Sequence, residues 1–191
     1  NRTGPRPMRP ERDYGAIGRA LDEASAEGPR ALSHRVFVDL LWEHLASTDV
    51  SWLGIYLVDE TSAPECRLRL GACRDRPACS PIGLHGVCGR AVVEARAVVV
   101  EDVRELGTAY VACDPHDLSE LVVPLRDGDG VWGVLDLDSR SIAAFDEVDA
   151  EALMELVARA GLTRSETGSG PAPMDSRSGR SGIGDAGRGL P

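Results

Sequence analysis

The sequence lacks the features of membrane, secreted and nucleic-acid-binding proteins. No stretch approaches the roughly 18 to 20 consecutive apolar residues that a membrane span needs, and residues 1–10 lack the apolar middle of a secretory signal. There is no lysine, so all 21 basic residues are arginine. These arginines are scattered and form no continuous basic stripe. We therefore expect a cytoplasmic protein that does not bind nucleic acid.

The sequence motifs of several enzyme classes are also missing. There is no Gly-x-Ser-x-Gly elbow, no phosphate loop ending in Gly-Lys and no Gly-x-Gly-x-x-Gly after a strand. No two cysteines are spaced as Cys-x-x-Cys, and the four histidines do not have the spacing of metal ligands on a helix. We expect neither a metal nor a bound cofactor.

Length and composition favour one globular domain. The chain has 191 residues, 42% hydrophobic and 27% charged, and domains cluster near roughly 100 to 150 residues. The net charge of -10 repels phosphate backbones and anionic membranes. Five cysteines are an odd set, which in a reducing compartment predicts free thiols rather than a disulfide framework.

Apolar spacing predicts helices at both ends of this domain. Tyr14 to Ala24 and Leu32 to Leu45 have helical periodicity, and Asp146 is a candidate N-cap for a last helix that ends near Gly161. The ends are rich in Pro, Arg, Gly and Ser. We predict disordered tails at 1–11 and 163–191, with the domain at 12–162.

The middle of the chain predicts an antiparallel sheet. Short segments rich in β-branched or aromatic residues predict strands at 52–58, 66–72, 97–101, 120–125 and 131–138. The glycines within 126–130 indicate a hairpin between the last two strands. The predicted fold class is α+β, with the terminal helices on one sheet face and the segment 73–119 covering the other.

The last predicted strand brings two carboxylates to one face, because side chains alternate across a strand. One face holds Val131, Gly133, Leu135 and Leu137, and the other holds Trp132, Val134, Asp136 and Asp138. Carboxylates about 7 Å apart beside apolar side chains indicate a partly covered pocket, to which Glu120 on the neighbouring strand could contribute. Repulsion of about 2.4 kcal/mol at an effective dielectric near 20 would raise one pKa. One carboxyl could then act as an acid; ordinary solvated aspartates remain the alternative.

The cysteines divide by their surroundings. Cysteine is often buried, so Cys66, in a predicted strand, and Cys73 are interpreted as core residues. Cys79, Cys88 and Cys113 lie in irregular sequence beside Gly, Pro or Asp, where thiols are more often accessible. These three are the candidate reactive thiols.

The order of short motifs resembles one enzyme family. The motifs are Trp52-Leu53-Gly54-Ile55-Tyr56, Pro77-Ala78-Cys79, Gly86-Val87-Cys88-Gly89, Ala112-Cys113-Asp114, Ser119-Glu120 and the segment 133–139. Together they resemble the free methionine-(R)-sulfoxide reductases over roughly residues 14–162. Three cysteines with an Asp-x-Asp-Ser strand are more selective than a match to GAF domains in general. The resemblance implies a GAF domain whose pocket takes free methionine sulfoxide.

The resemblance also implies roles for the candidate residues. Cys113 matches the catalytic cysteine, Cys79 the resolving cysteine and Cys88 a third that can join the relay. The carboxylates around the substrate match Glu120, Asp136 and Asp138, and the aromatic wall for its S-methyl group matches Trp52 and Tyr56. Tyr110 stands where the family commonly has a histidine.

The implied chemistry is thiol-dependent reduction. The Cys113 thiolate attacks the sulfoxide sulfur while a protonated carboxyl supplies a proton to the oxygen. The resulting sulfenic acid condenses with Cys79 to a disulfide, which an external dithiol such as thioredoxin reduces. A carboxylate would pair with the α-ammonium group of a free amino acid. The expected partners are free methionine sulfoxide and thioredoxin, with a homodimer as an open alternative to a monomer.

The main alternative is a GAF ligand-binding or redox-sensing module without turnover. Sensors usually sit beside an output domain, whereas the flanks here are short and low in complexity, which favours the enzyme. One requirement follows from the charges: carboxylates near Cys113 oppose its ionisation, so the thiolate needs the charge of the substrate or backbone donors.

Overall fold

The structure, a computed structural model, describes residues 10–26, 32–110, 113–128 and 130–164. Residues 1–9 and 165–191, which make up most of the predicted tails, lie outside the described residues. The helices are α1 (Tyr14–Ser25), α2 (His34–Leu45), α3 (Val87–Glu94) and α4 (Glu147–Arg159). The strands are β1 (Trp52–Val58), β2 (Leu68–Arg74), β3 (Val98–Val100), β4 (Ser119–Asp127) and β5 (Gly130–Ser139).

The strands form one antiparallel sheet in the order β2-β1-β5-β4-β3. The α+β prediction is therefore confirmed, and β1 spans the residues predicted for it. The second strand begins two residues later than predicted, because Pro64 starts a 3-10 turn, Pro64–Cys66. Cys66 ends this turn and is exposed, so its interpretation as a core strand residue was wrong.

Helices α1, α2 and α4 cover one face of the sheet and form the main core. Their inward stripes include Leu21, Phe37 and Leu153, which are fully buried against β1, β4 and β5. Burial of side chains of this size stabilises the fold by about 1.5 to 3 kcal/mol each. Asp146 caps α4 as predicted, in a reciprocal capping box with Asp149.

Helix α3, which was not predicted from the sequence, lies against the opposite face of the sheet. The segment Val87–Glu94 is short and contains three valines and a glycine, residues with modest helix propensity. Cys88 lies in its first turn and is buried. The interpretation of Cys88 as an accessible loop thiol was therefore wrong, and the irregular composition around it reflects close packing.

Gly89 lets α3 approach the chain that enters it. A Cβ atom at Gly89 would lie 2.2 Å from the backbone Cα, C and O atoms of Leu84, and backbone cannot move aside as a flexible side chain can. We expect Gly89→Ala to lower the free energy of unfolding by about 3 kcal/mol in denaturant titrations. Gly18→Ala is the matched control, because a Cβ there meets the guanidinium end of Arg159. Equal stability of both variants would contradict this account.

A β-bulge separates Trp132 from the carboxylates of its strand. Leu125 pairs with Gly133 but Arg126 pairs with Val131, so one extra residue interrupts the alternation of β5. Trp132 packs at the margin of the helix-side core and stacks on His34 with ring centroids 5.1 Å apart. Its predicted place on the carboxylate face was wrong, whereas Val134, Asp136 and Asp138 lie on that face as predicted.

Hydrogen bonds and a salt bridge attach both ends of the described chain to the rest of the domain. The Arg12 guanidinium bonds the Ala144 carbonyl at 2.8 Å and pairs with Asp149 at 3.0 Å. At the other end the Arg164 amide donates to the Arg126 carbonyl at 2.9 Å. Within the described residues, no helix has the length and apolar character that crossing a bilayer requires.

Candidate active site

A small cavity lies between the sheet and the segments that cover it. Seven predicted site residues line it: Trp52, Tyr56, Cys88, Cys113, Glu120, Asp136 and Asp138. The eighth, Cys79, lies beside it, since its carbonyl accepts a hydrogen bond from the Tyr56 hydroxyl at 2.9 Å. Tyr110, for which no role was predicted, also lines the cavity.

Strand register brings the three carboxyls together. Glu120 on β4 pairs directly with Asp138 on β5, and directly opposed residues on neighbouring strands lie about 5 Å apart. Asp136 pairs with Gly54 on the other side of β5. A Cβ at Gly54 would lie 2.5 Å from the Trp52 ring, so this glycine makes room for the indole beside the carboxyls.

Burial keeps protons on these carboxyls. Removal from water raises the pKa of Asp136 to about 7, and it raises the pKa values of Glu120 and Asp138 well above their usual range. The charge of Asp136 adds to the rise in both neighbours, whereas the Arg76 guanidinium opposes it at Asp138. The cluster therefore holds protons at neutral pH, and Asp136 is the member that ionises most readily.

The raised pKa values make the free energy of unfolding depend on pH, and the folded protein becomes less stable as the pH rises. The raised pKa of Asp138 means that the folded protein keeps a proton which the unfolded chain releases above about pH 4. Its contribution to stability is complete below that pH and is lost as the pH rises through the folded pKa. We expect Asp138→Asn to raise the Tm at pH 8, by about 3 °C for each kcal/mol gained, with little change at pH 4. The control is Glu151→Gln at an exposed site on α4; an equal gain at both pH values would contradict the expectation.

Cys113 and Cys79 meet at the edge of the cavity. Both residues are exposed, and they lie close enough for Cys79 to change the pKa of Cys113. Burial of the sulfur and the Cys79 side chain raise the pKa of Cys113 to about 12, while the Cys79 backbone acts in the opposite direction. The Cys79 backbone thus favours the thiolate, an influence that the sequence could not show.

Cys88 has a different environment. Its sulfur donates to Asp136 Oδ2 at 3.2 Å, and burial together with the neighbouring carboxylates raises its pKa well above the usual range. The other oxygen, Asp136 Oδ1, is buried and has no hydrogen-bond partner among the described residues. Cys88 is therefore a thiol that orients Asp136, a residue that lines the cavity.

The two aromatic residues do more than line the cavity. Trp52 and Tyr56 lie with ring centroids 6.2 Å apart. The Trp52 indole nitrogen donates to the Arg76 carbonyl at 2.7 Å, and the Tyr56 hydroxyl bonds the Cys79 carbonyl. Their polar tips thus hold the segment that carries Cys79, a role not predicted from the sequence.

One group of side chains has the chemistry of a cation site. Ligand atoms of Cys88, Glu120 and Asp136 all lie within 4.8 Å of one another, and all three residues are buried. A thiolate sulfur and carboxylate oxygens suit a divalent cation such as zinc. The expectation of a metal-free protein remains a prediction, which elemental analysis of the purified protein tests.

The fold and this cavity define the chain as a GAF domain. The family model described as a GAF domain matches residues 31–163. The free methionine-R-sulfoxide reductase of Escherichia coli K12 is 38% identical over 122 residues, which cover 63% of this chain and 68% of the relative. The chain therefore belongs to the free methionine-R-sulfoxide reductase family.

Solved structures agree with this assignment. The substrate complex of free methionine-R-sulfoxide reductase from Neisseria meningitidis is 32% identical with a TM-score of 0.67, over 77% of this chain and 85% of that one. The Staphylococcus aureus fRMsr, also in complex with substrate, is 30% identical with a TM-score of 0.69, over 80% of this chain and 96% of that one. Both of these structures are complexes with substrate.

Proposed function

We propose that this protein reduces free methionine (R)-sulfoxide to methionine, with Cys113 as the nucleophile. One observation carries the proposal: an exposed thiol and a buried cluster of protonated carboxyls line the same aromatic-walled cavity. Sulfoxide reduction needs a nucleophilic sulfur on one side of the substrate and a proton source for its oxygen. The names of the relatives support the same reaction.

In the first step one oxygen atom passes from the substrate to Cys113. The Cys113 sulfur attacks the sulfoxide sulfur and forms an S–S bond to it, while a carboxyl of the cluster protonates the sulfoxide oxygen. The resulting hydroxyl then passes from the substrate sulfur to the Cys113 sulfur as the S–S bond breaks. Methionine leaves as the thioether, and Cys113 becomes a sulfenic acid. Glu120 is our candidate donor, since among the charges acting on it no cation lowers its pKa, whereas Arg76 does so at Asp138.

In the second step Cys79 resolves the sulfenic acid. Its thiol already contacts Cys113, so a disulfide can form with loss of water. Cys88 is buried and bonded to Asp136, which makes it a poorer first resolving group; a later place in the relay stays a prediction. An external dithiol such as thioredoxin then reduces the disulfide. This cycle requires no metal, flavin or nucleotide.

Selectivity for the free amino acid rests on Asp136. Its pKa of about 7 lets it ionise in the presence of a cation, and its unpartnered Oδ1 is available for an ammonium group. We expect N-acetylmethionine (R)-sulfoxide, which lacks the α-ammonium group, to have a kcat/KM about 10- to 100-fold lower than the free amino acid. Thioredoxin-coupled NADPH consumption measures both. Equal values would remove Asp136 from this role.

The same assay separates the enzyme from a GAF sensor. We propose thioredoxin as the reductant and the cytoplasm as the compartment, because all five cysteines are free thiols and such thiols persist where reductants are present. Turnover of many equivalents of substrate per protein supports the enzyme. Binding of substrate to the reduced protein without turnover supports the sensor. Light scattering at the assay concentration distinguishes a monomer from the predicted alternative of a homodimer.

A further inference from the structure

The two thiols that meet at the cavity come from separate connections. Cys79 lies between β2 and α3, and Cys113 lies between the 3-10 segment Val103–Ala109 and β4. Neither residue is in regular secondary structure, so the sheet does not fix their separation directly. Contacts between the two connections must therefore hold the sulfurs together.

Arg76 links the Cys79 connection to its surroundings. Its carbonyl accepts the Trp52 indole bond and a weaker contact from the Cys73 thiol at 3.6 Å. Its guanidinium reaches the Ser51 carbonyl at 3.5 Å and forms a salt bridge with the Asp114 carboxylate. Arg76 thus joins three parts of the chain: Ser51, directly before β1, the connection that carries Cys79, and Asp114, directly after Cys113.

Asp114 anchors the other connection. Its side chain is 13% exposed, and it also pairs with Arg140 at 3.0 Å, directly after β5. The amide and ring of His116 bond its second oxygen at 3.0 and 2.8 Å. Hydrogen bonds from His116, with the two arginines, hold the pKa of Asp114 well below its usual range, so it stays charged.

We propose that Arg76 and Asp114 are positioning residues, whose salt bridge holds Cys79 at Cys113 so that the sulfenic acid is resolved as soon as it forms. The inference rests on the proposed function. In the step concerned, the S–O bond of Cys113 sulfenic acid breaks and an S–S bond to Cys79 forms. The hydroxyl leaves as water with the proton of the Cys79 thiol. Without the salt bridge, the sulfenic acid persists.

A single-turnover experiment separates the two steps. Reduced protein is mixed with one equivalent of free methionine (R)-sulfoxide and quenched over time. Chromatography measures methionine, and mass spectrometry measures the Cys79–Cys113 disulfide and the dimedone adduct of Cys113 sulfenic acid. We expect Arg76→Gln and Asp114→Asn to slow disulfide formation about 10-fold or more relative to methionine formation, with accumulation of the adduct.

Further variants make the result specific. Arg76→Lys, which keeps the charge, should restore part of the disulfide rate. Arg90→Gln, which removes a surface pair on α3, should behave as wild type. Disulfide formation that keeps pace with methionine in both Arg76→Gln and Asp114→Asn overturns the inference. So does equal slowing in Arg140→Gln, since Arg140 lies outside the Cys79 connection. If the wild type forms no methionine, the proposed function fails instead.

Discussion

Cys113→Ser is expected to lower kcat for free methionine (R)-sulfoxide by at least about 1000-fold. A serine hydroxyl is a far weaker nucleophile than a thiol at neutral pH and cannot form a sulfenic acid. Cys113 is exposed at the cavity, and the exposed thiol of Cys79 lies beside it. The coupled NADPH assay measures the loss, and substrate binding by calorimetry should be largely retained.

Two serine variants give this expectation its controls. Cys66→Ser changes an exposed thiol on the 3-10 turn Pro64–Cys66 and should leave turnover unchanged. Cys79→Ser should give one equivalent of methionine per protein and then stall, because the sulfenic acid forms but lacks its partner. Turnover by Cys113→Ser above a few per cent of wild type would assign the nucleophile to another residue.

The high pKa of Cys113 bears on how substrate activates it. At about 12, this pKa leaves the thiol protonated in the empty cavity at neutral pH. In the proposed reaction, an incoming ammonium group would bring a positive charge to the cluster, which favours both the Asp136 carboxylate and a nearby thiolate. The Cys79 backbone acts on the pKa of Cys113 in the same direction. We therefore expect the Cys113 thiol to ionise as substrate binds.

Much of the fold could be predicted because it follows local rules. Helical spacing, the cap at Asp146 and the alternation in β1 and β5 each depend on neighbouring residues. Helix α3 was not predicted because tertiary packing overrides its weak propensity: Gly89 is needed for the close approach to Leu84, and Cys88 is buried where it lines the cavity. Trp132 was misplaced because a β-bulge depends on pairing with β4, which alternation within one strand cannot reveal.

The candidate site likewise has features that local sequence predicts and contacts that it does not predict. Asp136 and Asp138 were predicted to share a face from their spacing, Glu120 and the three cysteines were candidates from their local sequence, and the match of motifs assigned roles to them. The hydrogen bond of Cys88 to Asp136 and the link from Arg76 to Asp114 join residues far apart in sequence. No local pattern encodes such contacts. In the proposed cycle these long-range contacts favour Cys79 over Cys88 as the resolving cysteine, because Cys88 is buried and bonded to Asp136 whereas Cys79 lies beside Cys113.

The carboxyl cluster has to supply opposite properties to one small substrate. A negative charge suits the α-ammonium group, whereas a proton is needed for the sulfoxide oxygen. Three separate pKa values in one buried cluster reconcile these needs, because Asp136 ionises near pH 7 while Glu120 and Asp138 retain their protons. Near neutral pH, Asp136 is then partly ionised while Glu120 and Asp138 remain the proton donors of the cluster.

Glu120→Gln is expected to lower kcat by about 100-fold or more at pH 7, because the amide keeps the shape of the side chain but has no acidic proton to give. The raised pKa of Glu120 fixes the sign of the pH dependence: the wild type is active below that pKa and loses activity as the pH rises through it. The variant should lose this alkaline limb. Initial rates from pH 6 to 10 measure both effects, with Glu94→Gln, at the surface pair on α3, as the matched control. If Glu120→Gln keeps more than a third of the wild-type kcat, or keeps the alkaline limb, the proton comes from Asp138 or Asp136 instead.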